Sequence, residues 1–426
     1  SKCKKIDSYL RDAGYSTHCI ASFGHFRELV GLESIDPITY EPIYSNIKSK
    51  KQAIECMRTN ISNKTQFDRV VLATDDDREG EAIAWHICDA FKLDPLTTDR
   101  IIFHEITKSA VIRAFETPRT INMSLVRAQQ ARQTLDILIG YRVSPVLWKY
   151  VGSGKQSIGS VGLSAGRCQT PALRLLCDID RSNELGGGAS VPSNSPQQFT
   201  FTGYFTLRNI PFTMKLDCKV DSVISFLSNR NKTFTGLQPV VRERLVKSPM
   251  GFSTMSLQQE AYTALQMTPK QCMASAQTLY ELGHITYMRT ECEHYNEDFI
   301  HAGSKYLSRK YADFYVQEIN ALIRRCGGAF GAHEAIRPTA MTTSKLSILD
   351  DTSDTSKKLS QQVRRLYRLI WKRTAESLMC DARVESHCFK MQTESTATES
   401  TATESTSIFT TTIDKIIFPG WKIIDR

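Results

Sequence analysis

An acidic cluster is the first group of residues whose types and spacing could do chemistry. Asp75, Asp77 and Glu79 follow the apolar run 69–74, which is typical of a buried strand. They stand at i, i+2 and i+4, so an extended backbone would aim all three carboxylates to one side. Carboxylate oxygens are hard ligands that suit Mg²⁺, and open α/β sheets place their ligands at the carboxyl ends of strands. The pattern therefore predicts a Mg²⁺ site.

The acidic cluster has two other possible interpretations, a solvated acidic turn and a calcium-binding loop. A solvated acidic turn has no metal, and these residues alone leave that interpretation open. The start of an EF-hand calcium loop also has the spacing D-x-D-x-x-G, which begins here at Asp75. The EF-hand is rejected because its twelfth position is His86 instead of glutamate, and because a predicted strand precedes it.

A tyrosine and an arginine form the second group, in the segment Gly283–Thr290 that is predicted to be a short strand after a helix. In an extended segment Tyr287 and Arg289 project to the same side. A tyrosine hydroxyl with a pKa near ~10 is a poor nucleophile at neutral pH, so a neighbouring cation that stabilises phenolate or phosphate makes chemical sense. A half-buried strand tyrosine beside a surface arginine is the alternative, and it stays open from these residues alone.

The elements that must position these groups follow one another in blocks. Up to about residue 120, short apolar runs alternate with helical stretches, which is typical of an α/β domain. Helical spacing follows over 126–151 and returns over 253–379, whereas 199–205, the text near Phe389 and the ending 418–424 have strand character. A loop rich in Gly, Ser and Pro at 186–196 marks a predicted domain boundary, and the repeated Thr-Glu-Ser-Thr-Ala text of 393–407 predicts a disordered insertion.

Bulk composition narrows the class of protein. A length of 426 residues predicts two to four domains, and a net charge of +9 suits a polyanionic partner. The chain has 12 cysteines but no CxxC pair, which favours reduced thiols and an intracellular location, and no apolar run predicts a membrane span. Because Ser1 already lies in an amphipathic helical pattern, we expect the chain to be a fragment whose true start is missing.

Seven segments in order make the chain resemble a type IA DNA topoisomerase, and the resemblance covers nearly its whole length. Three resemble the motifs of the family's Toprim domain, two its DNA-gripping helical domain, one its nucleophile motif and one a further motif of the domain that carries the nucleophile. They are, in chain order, Gly24–Leu29, Asp75–His86, Phe103–Lys108, Ala128–Arg132, Leu163–Thr170, Ile285–Thr290 and Ala332–Pro338.

The resemblance implies an α/β and mainly-α multidomain fold. A Rossmann-like Toprim domain would cover 1–120 without its first strand, and a helical domain gripping DNA would cover 121–182. A β-rich arch domain would comprise 183–247 and 381–426, including the insertion 393–407. A second helical domain, 248–380, would carry the nucleophilic tyrosine. In this family these domains form a toroidal core.

The resemblance also implies roles for individual residues. Tyr287 would attack one DNA strand to leave a 5′ phosphotyrosine and a free 3′ hydroxyl, with Arg289 stabilising the charge. Asp75, Asp77 and Glu79 would hold Mg²⁺. The DNA-binding residues would be Arg132, Ser164, Arg167, Gln169, His333 and Arg337. The implied protein is a monomer that acts on single-stranded or negatively supercoiled DNA and relaxes negative supercoils without ATP.

Two departures from the family pattern qualify these expectations. The family begins with a strand that ends in a glutamate beside the active site, and this chain is expected to start just after it, so we expect the chain to bind DNA better than it cuts it. Asp76 stands where many relatives carry Pro. A noncatalytic nucleic-acid-binding module and a Toprim nuclease or primase, which would not need Tyr287, remain the alternatives.

Overall fold

The computed structural model describes residues 2–62, 67–151, 163–187, 197–228, 233–325, 333–346, 360–393 and 408–425. Most of the predicted boundary loop 186–196 and of the insertion 393–407 lies outside these residues. In chain order the helices and strands are α1 Lys2–Arg11, β1 Arg27–Glu28, β2 Ser45–Asn46, α2 Lys51–Ser62, β3 Val71–Leu72, α3 Arg78–Phe91, β4 Asp99–Arg100, α4 Lys108–Glu116, α5 Met123–Tyr150, α6 Gln169–Gly187, β5 Gln197–Tyr204, β6 Pro211–Cys218, α7 Val220–Ser228, β7 Phe234–Val246, α8 Thr254–Leu265, α9 Pro269–Glu281, α10 Glu297–Tyr311, α11 Ile319–Arg325, α12 Gln361–Ser377, β8 Ala382–Thr393 and β9 Ile408–Phe418.

These elements fall into two compact units. The first comprises Ser1–Thr170 and Pro249–Leu378, and the second comprises Pro171–Ser248 and Met379–Arg426. The finer division into four domains stays a prediction. None of the helices in the described part of the chain combines the length and apolar content that a membrane span needs.

A βαβ arrangement organises the amino-terminal part of the first unit. Strands β3 and β4 pair in parallel, and α3 connects them, as parallel strands require a crossover connection. Leu72 from β3 packs with Ala84 and Ile87 from α3 in a cluster that also includes Phe26 and Val126. This packing confirms the predicted α/β character and fixes the loop between β3 and α3, where the acidic cluster lies.

Helices form the rest of the first unit. The helical block predicted over 253–379 begins with α8 and α9. Ser253 and Thr268 cap the amino termini of these two helices by accepting backbone N–H groups of the first turn. Helix α9 ends immediately before the segment that carries Tyr287.

An antiparallel sheet dominates the second unit. Its strand order is β5-β6-β9-β8-β7, and Phe201, Phe212, Met214 and Phe409 form its buried apolar cluster. The strand predicted over 418–424 is wrong, because β9 ends at Phe418 and Gly420–Asp425 is a 3-10 helix. Pro419 has no backbone donor for a ladder and Gly420 has a φ of +50°, so the strand cannot continue.

Candidate active site

The tyrosine segment enters the site through a tight turn. Gly283, directly after α9, has a φ of +71°, a backbone conformation that suits glycine. A Cβ at this position would lie 2.6 Å from the carbonyl oxygen of Ile106. The turn therefore brings the tyrosine segment against the segment that follows β4.

Backbone hydrogen bonds then hold the tyrosine segment from both sides. The amide of Tyr287 donates to the carbonyl of His104 at 2.8 Å, and the amide of Thr286 donates to the carbonyl of Arg337 at 2.9 Å. The predicted strand is thus only an isolated bridge between Ile285 and Pro338. Its neighbours on either side come from distant parts of the sequence, so Tyr287 is positioned by tertiary contacts.

Asp77 joins the two predicted catalytic side chains. The Tyr287 hydroxyl donates to Asp77 Oδ2 at 2.5 Å, and Arg289 Nη1 donates to the same oxygen at 3.2 Å. Tyr287 is 3% exposed, whereas the Arg289 side chain is 54% exposed. Burial, and next the hydrogen bond to the Asp77 carboxylate, raise the pKa of Tyr287 well above its ordinary value. The tyrosine is therefore a protonated phenol in this arrangement.

The acidic cluster does not follow an extended backbone as the spacing predicted. Asp77 is the N-cap of α3, and its Oδ1 accepts the amide of Gly80 at 2.7 Å. Glu79 consequently lies in the first turn of a helix, and the side chains of Asp77 and Glu79 diverge to separate partners. The prediction of a continuous extended run from Asp75 to Glu79 is wrong for this reason.

Glu79 is surrounded by hydrogen-bond donors. Its Oε2 lies 3.0 Å from His25 Nε2 and accepts Nε2 of Gln129 at 3.0 Å, while Oε1 pairs with Arg132 at 3.5 Å. The His25 hydrogen bond, then that of Gln129 and the charge of Arg132, outweigh partial burial and lower the pKa of Glu79 to about 2. Glu79 is thus a carboxylate at neutral pH.

Asp75 is held by side chains that the sequence analysis did not single out. Its Oδ1 pairs with Lys2 Nζ at 2.5 Å and accepts the Tyr280 hydroxyl at 3.4 Å. Arg100 donates to the Asp75 carbonyl at 3.0 Å and pairs with the buried Glu81 at 3.1 Å. A Cβ on Gly80 would lie 2.0 Å from the same carbonyl oxygen. The loop between β3 and α3 is therefore fixed through its backbone.

The donor set of Asp75, Asp77 and Glu79 fits a hard divalent cation, since all three offer carboxylate oxygens. Asp75 and Asp77 now pair with the positive charges of Lys2 and Arg289, which a metal ion would replace. Among the described residues, however, these three carboxylates do not converge within 4.8 Å of one another; another trio does. Their role as Mg²⁺ ligands stays a prediction.

The predicted DNA-binding residues of the first helical region lie on exposed surface. Asp136 on α5 pairs with Arg167 at 3.0 Å and with Arg132 at 3.9 Å, and about half of its side chain is exposed. Gln169 donates to the hydroxyl of Ser164 at 3.2 Å. These four predicted DNA-binding residues are accessible to a large ligand. Two of them, Arg132 and Arg167, are paired with the Asp136 carboxylate, which a DNA phosphate must displace.

The other two predicted DNA-binding residues flank the tyrosine. The His333 ring stacks on that of Tyr287 with centroids 6.3 Å apart. Arg337, by contrast, is 3% exposed; it binds Glu334 through two hydrogen bonds of 2.8 Å and pairs with Glu105 at 3.1 Å. His333 is placed to contact a ligand at Tyr287, whereas the Arg337 guanidinium is occupied by protein.

Several site residues escaped the sequence analysis. Lys2 and Tyr280 contact Asp75, and the buried Gln129 contacts Glu79. His104 lies near Asp76, and burial lowers its pKa. Of these, only Gln129 had a detectable signal, because it shares a helix face with Arg132 three residues later.

Comparison with known proteins gives concordant matches. A family model described as DNA topoisomerase matches residues 120–426, and a Toprim domain model matches residues 1–106. The structure of full-length topoisomerase I from Thermotoga maritima is similar, with a TM-score of 0.73 and 28% sequence identity, over 100% of this chain and 66% of that chain. The chain thus spans just under two thirds of that protein.

The topoisomerase match covers well over half of the chain, so the chain belongs to this DNA topoisomerase family. Its amino-terminal part is a Toprim domain, and such domains generally bind a divalent metal. These matches confirm the fold class that the seven sequence motifs predicted.

Proposed function

We propose that this member of the DNA topoisomerase family is a type IA enzyme, which breaks and rejoins single DNA strands without ATP and relaxes negative supercoils. The observation that carries the proposal is the convergence of Tyr287, Asp77 and Arg289. The phenol oxygen lies 2.5 Å from a carboxylate oxygen that also receives a guanidinium at 3.2 Å. A nucleophile and a cation that can bind phosphate thus meet at one carboxylate oxygen, which can accept a proton.

In the proposed cleavage step, the Tyr287 oxygen attacks the phosphorus of a single strand as its proton passes to Asp77 Oδ2. The new oxygen–phosphorus bond forms as the bond from phosphorus to the 3′ oxygen breaks. The leaving 3′ oxygen takes up a proton from solvent, so a 5′ phosphotyrosine and a free 3′ hydroxyl result, and resealing is the reverse reaction. Arg289, which is half exposed, can turn from Asp77 to the phosphate that approaches.

The raised pKa of Tyr287 limits attack by its phenol when no DNA is bound. Because the ring is buried and its hydroxyl is bonded to Asp77, the pKa of Tyr287 is raised, so the phenol keeps its proton and stays unreactive. A bound phosphodiester would draw Arg289 toward Tyr287 and lower the cost of forming charge there. Mg²⁺ held by Asp75, Asp77 and Glu79 would supply positive charge at the scissile phosphate.

The DNA strand is proposed to run over the exposed polar groups near α5. Arg132 and Arg167 would bind phosphates, while Ser164 and Gln169 would hydrogen-bond to the backbone. His333 would contact the strand beside Tyr287. The mildly basic net charge of +9 supports a nucleic-acid substrate, and single-stranded or negatively supercoiled DNA offers the unpaired strand that this site would take. We propose that the protein acts as a monomer.

The decisive experiment is a covalent-adduct assay with the full-length protein, Mg²⁺ and a labelled single-stranded oligonucleotide on a denaturing gel. Tyr287→Phe removes only the nucleophilic oxygen and should abolish the adduct. Tyr262→Phe is the matched control, because this tyrosine is 60% exposed on α8. It should leave the adduct unchanged.

The other outcomes separate the alternatives. An adduct that persists in Tyr287→Phe would contradict the assignment of the nucleophile. DNA binding without adduct in the unaltered protein would favour a noncatalytic binding module. Full cleavage by Tyr287→Phe without adduct would favour a Toprim nuclease or primase.

A further inference from the structure

Three potential metal ligands from separate segments meet beside Tyr287. They are Asp76 in the loop after β3, His104 in the segment after β4, and His333. One ligand atom of each lies within 4.8 Å of the other two, and His104 Nδ1 is 3.6 Å from Asp76 Oδ2. Among the described residues, no other three His, Cys, Asp or Glu side chains converge in this way.

Each histidine of this cluster has one buried ring nitrogen that no described residue satisfies. Nδ1 of His104 and Nδ1 of His333 are both buried without a hydrogen-bond partner among the described residues. The separation of 3.6 Å between His104 and Asp76 is too long for a hydrogen bond. A buried polar atom without a partner is costly to leave unsatisfied, so these nitrogens point to a ligand that satisfies them.

We propose that Asp76, His104 and His333 bind a divalent transition-metal ion of the Zn²⁺ type, at a site separate from the acidic Mg²⁺ site. Two imidazoles and one carboxylate form a donor set that suits Zn²⁺ better than Mg²⁺. In a tetrahedral zinc site with bonds near 2.0–2.1 Å, ligand atoms lie about 3.3 Å apart. The separation of 3.6 Å between Asp76 and His104 is close to this value. Three protein ligands leave the fourth position for water.

Successive aspartates of the loop after β3 contact different partners, which explains how the proposed zinc-type site and the acidic Mg²⁺ site can be adjacent. Asp75 and Asp77 contact Lys2 and Arg289, whereas Asp76 between them faces His104. The two sites therefore use different carboxylates. A metal ion at the second site would not compete for Asp75 or Asp77.

The site would act on Tyr287 through its neighbours. The carbonyl of His104 accepts the Tyr287 amide at 2.8 Å, and the ring of His333 stacks on the Tyr287 ring. An ion bound by both histidines would hold the Toprim segment, which carries His104, and the His333 ring against the tyrosine segment. Binding therefore favours the arrangement in which the two segments are in contact.

The test is a Co²⁺ titration of the metal-free protein in excess Mg²⁺, followed by the visible absorption of the cobalt ion. One equivalent should bind, and Asp76→Asn, His104→Asn and His333→Asn should each weaken binding by at least about ten-fold. The matched controls are Asp68→Asn and His301→Asn, two exposed residues outside the cluster. Both controls should bind Co²⁺ like the unaltered protein.

The absorption spectrum distinguishes this site from the cysteines. Cobalt bound to thiolate gives an intense sulfur-to-metal band, and cobalt bound by two histidines and an aspartate does not. A thiolate band, or binding unchanged in Asp76→Asn, would overturn the proposal. If a histidine variant fails to fold, as judged by circular dichroism, Asp76→Asn alone decides. None of these readouts needs the cleavage reaction, so the result is independent of the proposed function.

Discussion

Two arginines on either side of the tyrosine segment differ in what surrounds the guanidinium. Arg337 is 3% exposed, is bound twice by Glu334 and once by Glu105, and lies over the ring of Phe299 at 4.1 Å. Arg289 is about half exposed and meets a single carboxylate, that of Asp77. Both belong to motifs of the same family, and both were predicted to serve the DNA reaction.

The difference shows which arginine positions the backbone and which one can contact the substrate. A guanidinium whose donors are already paired in a buried site has few left for phosphate. Arg337 therefore supports the backbone that pairs with Thr286, next to the nucleophile. Arg289 keeps exposed donors within reach of the Tyr287 oxygen, so it is the arginine suited to act in the reaction.

Removing the buried arginine should give the largest change. Arg337→Ala leaves Glu334 and Glu105 without their cation, so the free energy of unfolding should fall by about 3–5 kcal/mol. Denaturant unfolding measures this loss, with Arg368→Ala on the exposed face of α12 as the control. A variant as stable as the unaltered protein would show that Arg337 is not the structural member of the pair.

Removing the exposed arginine should affect the reaction instead. Arg289→Ala should slow covalent-adduct formation by about 10²–10³-fold, as loss of one stabilising donor at a reacting oxyanion does. Its free energy of unfolding should change by less than about 1 kcal/mol, because the arginine side of the ion pair is about half exposed. Arg289→Lys, which keeps the charge, should restore part of the rate. Equal rates of adduct formation for the alanine variant and the unaltered protein would show that Arg289 does not act in the reaction.

The pH dependence of Glu79 tests the contacts around its carboxylate, first that of His25, then those of Gln129 and of a third arginine, Arg132. The folded pKa of Glu79 is lowered from 4.5 to about 2, so its contribution to stability is present above pH 4.5 and is lost as the pH falls toward 2. The difference in Tm between the unaltered protein and Glu79→Gln should therefore shrink across this interval. A difference that stays constant with pH would mean that the hydrogen bonds act equally on both protonation states.

The smallest effect is expected at Asp136, whose side chain is about half exposed. Asp136→Asn removes a carboxylate that competes with DNA for Arg132 and Arg167, so the Kd for a single-stranded oligonucleotide should fall by about two- to five-fold. Arg132 keeps its pair with Glu79 in this variant. Fluorescence anisotropy measures this change. Asp99→Asn, which breaks a similar surface pair with Arg69, serves as the control and should leave the Kd unchanged. Weaker binding by Asp136→Asn would mean that Asp136 positions the arginines for DNA.

Local sequence rules predicted part of this site. Residues two apart on an extended segment project to one side, and Tyr287 and Arg289 do reach the same oxygen of Asp77. The helices α8 and α9 also follow from periodicity. The extended run predicted for the acidic cluster is wrong because the alternation of side chains stops at Asp77, and an aspartate before a helical run is a strong N-cap signal.

The remaining contacts have no local signal. Lys2 reaches Asp75, and His104 reaches Asp76 and His333, only because the fold brings distant segments together. The burial of Arg337 depends on Glu105, which lies in another motif far along the chain. Periodicity describes one element at a time, so it identifies which face is buried but not which partner covers it.

Gly80 fixes the path of the loop between β3 and α3. A side chain there would meet the Asp75 carbonyl, and Arg100 holds that carbonyl from another direction. The path of the loop is thus set by main-chain atoms and by residues outside it. Position 76 is free to exchange one side chain for another while the loop keeps its course. The chemistry next to the tyrosine can therefore change at position 76 while the carboxylates on either side keep their places.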